Sequence, residues 1–159
     1  MSQSLSLKQQ IAKWVALGGG SGLFPVAPGT AGTLAAIPLY WALIQLPMWG
    51  YVLGVVLTIF IGIWACQVYS DVLGVHDHGS IVWDEVAGYL LTMAVVPFDW
   101  MLVLAGFFLF RLFDIWKPWP IRRLDKNVEG GFGIMLDDIV AGIYAAACLF
   151  WLSPYILSF

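Results

Sequence analysis

Four of the ten acids of this chain stand in two adjacent pairs, at places where carboxylates could share a cation. Asp84 and Glu85 close the stretch VHDHGSIVWDE, residues 75–85, which also holds His76, Asp77 and His78. Asp137 and Asp138 stand in IMLDDIVAG, at the start of another apolar run. A carboxylate near a helix N-terminus has an ordinary explanation, because the helix dipole favours it by about 0.3–1 kcal/mol. That accounts for a single acid more easily than for two pairs. Neighbouring helical residues diverge by about 100°, so one acid of a pair can face a bundle while the next faces a loop or another helix. Two helices that begin with paired acids at one depth predict oxygen ligands for a divalent cation, commonly magnesium, from Asp84, Glu85, Asp137 and Asp138. Asp84 and Asp138 are the acids expected to matter most for catalysis. His76 and His78 have no Cys or His partner motif elsewhere, which argues against zinc. His78, or the adjacent Asp77, is a candidate for moving a proton.

The cations sit beside these acids. In FRLFDIWKPWPIRRLDKNVEGGFG, residues 110–133, Arg111, Asp114 and Lys117 are spaced i, i+3, i+6 and share one helix face. Read structurally, this is an ion-paired stripe that keeps charge from lipid; read functionally, Arg111 and Lys117 lie over a phosphate. Arg122 and Arg123 either set membrane topology or touch anionic headgroups, and Arg122 joins the candidate substrate contacts. Pro118 and Pro120 are expected to end the helix and hold the next residues extended. The glycine-rich stretch GGGSGLFPVAPGTAGT, residues 18–33, lacks the lysine of a nucleotide-binding P-loop. Its free amides, with Ser21, Thr30 and Thr33, are candidates to line an anion site.

The elements that must position these groups are apolar. Of 159 residues, 61% are hydrophobic and 11% charged, far below the roughly 25% charged content of soluble domains, and the mean hydropathy is +0.87. An all-α membrane bundle is expected, a single domain over residues 1–159. It comprises a short interfacial helix near residues 8–17, a re-entrant or structured glycine-rich loop, and about five membrane helices near 31–47, 49–69, 82–98, 100–116 and 134–158. A cleaved signal peptide is not expected. With the N-terminus in the cytoplasm, Lys8, Lys13, Lys117, Arg122, Arg123 and Lys126 fall on that side. The same threading puts every acid except Asp99 at the cytoplasmic end. Cys66 and Cys148 lie in apolar runs and read as packing residues. No internal repeat is evident. A pI near 5.0 offers no basic footprint for nucleic acid.

Together, GSGLFPVAPGTAGT, VHDHGSIVWDE and FRLFDIWKPWPIRRLDKNVEGGFGIMLDDIVAG, covering most of residues 18–145, resemble the phosphatidylglycerophosphatase A family. The resemblance implies a multi-pass enzyme of the bacterial inner membrane with its active site facing the cytoplasm. It further implies a magnesium-dependent lipid phosphatase of phospholipid biosynthesis, with phosphatidylglycerophosphate as substrate and phosphatidylglycerol and inorganic phosphate as products. The attacking group is left open between a water beside the cation and an Asp or His that forms a covalent intermediate, and the oligomeric state is not legible. A headgroup phosphotransferase is the nearest alternative activity. An ion transporter is disfavoured, because the acids gather at one face and form no ladder across the membrane.

Overall fold

Ser6 starts the first helix with a reciprocal cap. Its hydroxyl accepts from the Gln9 amide while the Gln9 side chain accepts from the Ser6 amide. In the computed structural model, which describes residues 5–158, helix α1 (Leu7–Ala16) then buries Ala12 and Ala16 and leaves Leu7, Ile11 and Trp14 exposed. Helices α2 (Pro28–Leu43), α3 (Met48–Leu73), α4 (Trp83–Met93), α5 (Trp100–Trp116), α6 (Ile121–Asn127) and α7 (Gly130–Ile156) follow. There is no strand among the described residues.

Each of the five expected apolar runs becomes a helix, but only two are long and apolar enough to cross a membrane by themselves, Met48–Leu73 and Gly130–Ile156. At 1.5 Å per residue these reach about 40 Å, against a hydrocarbon core of about 30 Å. Helix α4 has 11 residues where a run of 82–98 was expected, about 16 Å. It is the internal helix: eight of its residues are buried, and it packs against α2, α3, α5 and α7. A helix enclosed on all sides need not be long to be apolar. The surrounding helices turn large apolar side chains outward, among them Phe60 on α3, Phe108 on α5 and Trp151 on α7.

The connections differ from expectation in two places. The polar stretch 117–133 was expected to be a loop, yet it folds into α6, and α7 begins at Gly130 rather than near 134. Pro118 to Pro120 form a turn with a cis Trp119–Pro120 bond rather than an extended segment. A proline's fixed φ suits a helix start as well as a stop, and Pro120 serves as the N-cap of α6. Of the glycine-rich stretch, Gly18–Leu23 forms tight turns in which Gly18, Gly19 and Gly20 hold positive φ, and residues 28–33 already belong to α2. Gly22 presses on the Ser80 carbonyl, and the Val82 amide donates to Ala16 at 2.9 Å, so this loop braces the start of α4.

Candidate active site

Helices α4 and α7 run in the same direction and touch backbone to backbone. A Cβ on Gly142 would lie 2.5 Å from the Gly88 carbonyl oxygen, and one on Gly88 would lie 2.8 Å from that of Asp138. Only glycine permits this approach. Thr92 spans the contact, its hydroxyl 2.9 Å from the Gly88 carbonyl and 3.4 Å from that of Gly142. Each glycine lies one turn after an acid, Asp84 before Gly88 and Asp138 before Gly142. The sequence shows why: Asp-x-Val-Ala-Gly occurs at 84–88 and again at 138–142. No repeat was expected in this chain, and this short one correctly read would have paired the two helices.

One turn from the crossing, single oxygens of Asp84, Glu85 and Asp138 all lie within 4.8 Å of one another. Asp84 and Asp138 are buried, and Glu85 is nearly so. Asp84 Oδ1 and Glu85 Oε2 are buried without a hydrogen-bond partner. Unpartnered buried carboxylate oxygens are costly, and two of them beside a third converging carboxylate, that of Asp138, form a donor set that suits a hard divalent cation.

Arg111 of α5 flanks this group. Its Nη1 is 3.7 Å from Glu85 Oε1, and it pairs with Asp114 one turn along its own helix. Its Nε is buried without a partner. Gly29, in the first turn of α2, packs onto both Glu85 and the Arg111 guanidinium, and any side chain there would collide with them. The first turn of α2, which has no side-chain cap, therefore faces the same site with free amides.

A second cluster forms on the other side of Asp138. Lys117 Nζ lies 2.7 Å from Asp125 Oδ1 and 2.7 Å from Asp137 Oδ2. Burial disfavours the Lys117 ammonium, but the hydrogen bonds and charges of Asp125 and Asp137 outweigh it and hold its pKa above the ordinary lysine value. Asp137 thus faces Lys117 rather than the carboxylate group of Asp138, as the 100° divergence of neighbours allows.

The remaining candidates are not among the three converging carboxylates. His78 is exposed, its Nδ1 2.8 Å from Ser80 Oγ. Asp77, exposed on the same loop at positive φ, lies within electrostatic reach of Lys117, Asp125 and Asp114, beside the second cluster. The Ser21 hydroxyl donates to the Leu17 and Gly18 carbonyls, and Thr30 joins it in a surface groove with Phe24, Val26 and Leu34. Arg122 is exposed on α6, in a cavity whose walls do not include Asp84, Glu85 or Asp138. Sequence reasoning missed Gln67 of α3, whose Oε1 accepts from the Gly131 amide at 2.7 Å and caps α7. A lone glutamine in an apolar run carried no signal beyond its polarity. Cys66 and Cys148 are both free, Cys66 buried and Cys148 partly so.

Known proteins resemble this chain in sequence. The family model described as phosphatidylglycerophosphatase A matches residues 14–153. A protein of Escherichia coli K12 named phosphatidylglycerophosphatase A is 52% identical over 142 residues, covering 89% of this chain and 83% of that protein. One of the same name from Haemophilus influenzae is 45% identical over 147 residues, 90% of this chain and 89% of its own. A Bacteroides thetaiotaomicron protein, provisionally named a phosphatidylinositol-3-phosphatase, is 40% identical over 82% of this chain and 86% of its own. No solved structure matches the chain.

Proposed function

The chain belongs to the phosphatidylglycerophosphatase A family, a family of phosphatases, and from that premise we propose that it hydrolyses phosphatidylglycerophosphate to phosphatidylglycerol and inorganic phosphate, as a magnesium-dependent step of phospholipid biosynthesis. The observation that carries the proposal is the convergence of Asp84, Glu85 and Asp138 within 4.8 Å, with two of their buried oxygens unpartnered. When bound there, magnesium supplies positive charge to the phosphoryl oxygens and acidifies nearby water.

The residues around it do the rest. A phosphate monoester carries up to two negative charges, which an acidic pocket would repel unless cations intervene. Arg111, held between Glu85 and Asp114, presents its guanidinium to the phosphoryl oxygens, and the free amides at the start of α2 add further donors. These donors are set before substrate arrives, so no reorganisation opposes the transition state. Water attacks phosphorus as the bond to the glycerol oxygen breaks. A carboxylate of the group accepts a proton from the attacking water and returns it to the leaving glycerol oxygen, so the step closes without another donor. Lys117 is committed to Asp125 and Asp137 and acts in this reading by holding the start of α7, and with it Asp138, in place.

The same geometry supports the membrane placement. The helices α2 to α5 and α7 lie in the bilayer of the bacterial inner membrane, with the site at the cytoplasmic end where a lipid headgroup reaches it. The Bacteroides relative is named for a different lipid phosphate; a phosphomonoester on a lipid headgroup is the chemistry common to these names. Inorganic phosphate released from phosphatidylglycerophosphate by the purified protein should require magnesium and stop in excess EDTA. Full release in EDTA, with no stimulation on adding magnesium, would exclude this mechanism.

A further inference from the structure

On the outer side of α5 and α6 the chain forms a cavity of about 590 Å³, lined by Trp116, Lys117, Pro118, Trp119, Arg122, Arg123, Lys126 and Asn127. Arg122, Arg123 and Lys126 are exposed and take part in no salt bridge among the described residues. They are three of only seven lysines and arginines in the chain, gathered on the seven-residue α6. Trp116 and Trp119 are 68% and 76% exposed, although indole rings are large enough to be buried wherever packing offers a place. A chain of net charge −3 therefore shows one concentrated positive surface, bounded by two outward tryptophans.

We infer that this cavity holds the phosphodiester headgroup of an anionic phospholipid of the surrounding membrane, at a place separate from the carboxylate site. Tryptophan prefers the depth at which headgroups meet hydrocarbon, so the two indoles fix the cavity at that level. Arginine pairs with phosphate oxygens through its planar fork, and lysine adds a point charge. The cavity shares one wall residue with the catalytic region, Lys117, whose ammonium faces inward to Asp125 and Asp137. A lipid seated outside thus packs against the turn that keeps Lys117 and α7 in register. The inference rests on the membrane placement proposed above, but its test reads lipid contact and needs neither turnover nor magnesium.

Purified protein in phosphatidylcholine nanodiscs would receive phosphatidylglycerol with brominated acyl chains, which quenches tryptophan fluorescence on contact. Brominated phosphatidylcholine at the same mole fraction gives the reference, and a Trp116→Phe/Trp119→Phe variant isolates the local signal. Wild type should show preferential quenching by the anionic lipid. Each cation near the surface contributes about fivefold to such a preference, so Arg122→Gln/Arg123→Gln/Lys126→Gln should lose on the order of a hundredfold. The milder Arg123→Gln/Lys126→Gln should fall between, and Lys126→Arg should keep the preference. Those two variants decide the matter if the triple variant fails to remain monodisperse. Equal quenching by the two lipids in wild type, or a preference unchanged by removing the cations, would overturn the inference. So would a preference seen for phosphatidylglycerophosphate and absent for phosphatidylglycerol, which would put the cavity on the substrate's path.

Discussion

Gly142→Ala is the sharpest test of how the site is built, because it touches no charged group. The added Cβ would lie 2.5 Å from the Gly88 carbonyl oxygen, where ordinary contact begins at 3.4 Å. The obstacle is backbone and cannot rotate aside, so the helices must part by about 0.9 Å at the crossing. Asp138 and Asp84 stand one turn away on the same two helices, and their separation should grow by a similar amount. A displacement on the order of 1 Å costs about 100-fold in rate, or about 2.7 kcal/mol of barrier, while overpacking should lower stability by about 1–3 kcal/mol. Phosphate release should be followed against magnesium concentration in purified, monodisperse protein. The expected result is a fall in turnover with half-saturation at higher magnesium, since this cation demands short, near-ideal octahedral bonds. Wild-type turnover with unchanged magnesium half-saturation in the folded variant would show that the glycine crossing does not set the carboxylate spacing.

Other consequences follow from the same geometry. Asp84→Asn and Asp138→Asn should each remain inserted and folded yet lose turnover by about 100-fold or more; normal rates in both would reduce these acids to helix-end residues. Lys117→Met should cost on the order of 3 kcal/mol by stranding Asp137. Because the Lys117 pKa is raised from 10.5 in the folded protein, its contribution is fully present below 10.5 and is lost only as pH rises through the folded value. The difference in thermal stability between wild type and Lys117→Met should therefore stay level from about pH 7 to about pH 10; a difference already halved at about pH 9 would refute the pairing. Asp99 caps α5 by accepting from the Met101 and Leu102 amides at 2.7 and 3.2 Å, so Asp99→Ala should cost about 1 kcal/mol. Its magnesium dependence should match wild type, and a change there would mean that the helices are threaded differently.

The positions of the helices were legible because apolar runs end at glycines and prolines. Their lengths were less so. Ala94–Val95–Val96 continues the apolar run of α4 in composition, yet the chain leaves the helix there ahead of Pro97, whose preceding residue is pushed toward extended backbone. Helix α6 was hidden in RRLDKN, where charges that suggest a loop instead form a seven-residue helix. Asp84, Glu85 and Asp138 could be chosen from their pairing alone. Asp137 could not be separated from Asp138, because that depends on Lys117 and Asp125 meeting it across a turn. Ser21, Thr30 and His78 were chosen by residue type. Local hydrogen bonds occupy Ser21 and His78, and the surface groove holds Thr30, none of which sequence spacing encodes.

The repeated Asp-x-Val-Ala-Gly gives one helix crossing two roles. In the proposed membrane placement the hydrophobic effect would supply little attraction between helices, and close packing of small residues with an interhelical hydrogen bond would have to hold them. Gly88, Gly142 and Thr92 provide both. That contact holds together two helix ends that would otherwise repel, since Asp84, Glu85 and Asp138 approach within 4.8 Å beside Asp114, with Arg111 the cation between Glu85 and Asp114. The crossing therefore keeps the acids assembled without help from a cation, and the magnesium proposed above would meet carboxylates that already converge. About 100° around α7 from Asp138, Lys117 neutralises Asp137, so Asp137 adds little to the repulsion within the three-carboxylate group. A sequence without the two glycines would have to spend cation affinity on drawing α4 and α7 together; under the proposed function, this one would leave that affinity for the phosphate.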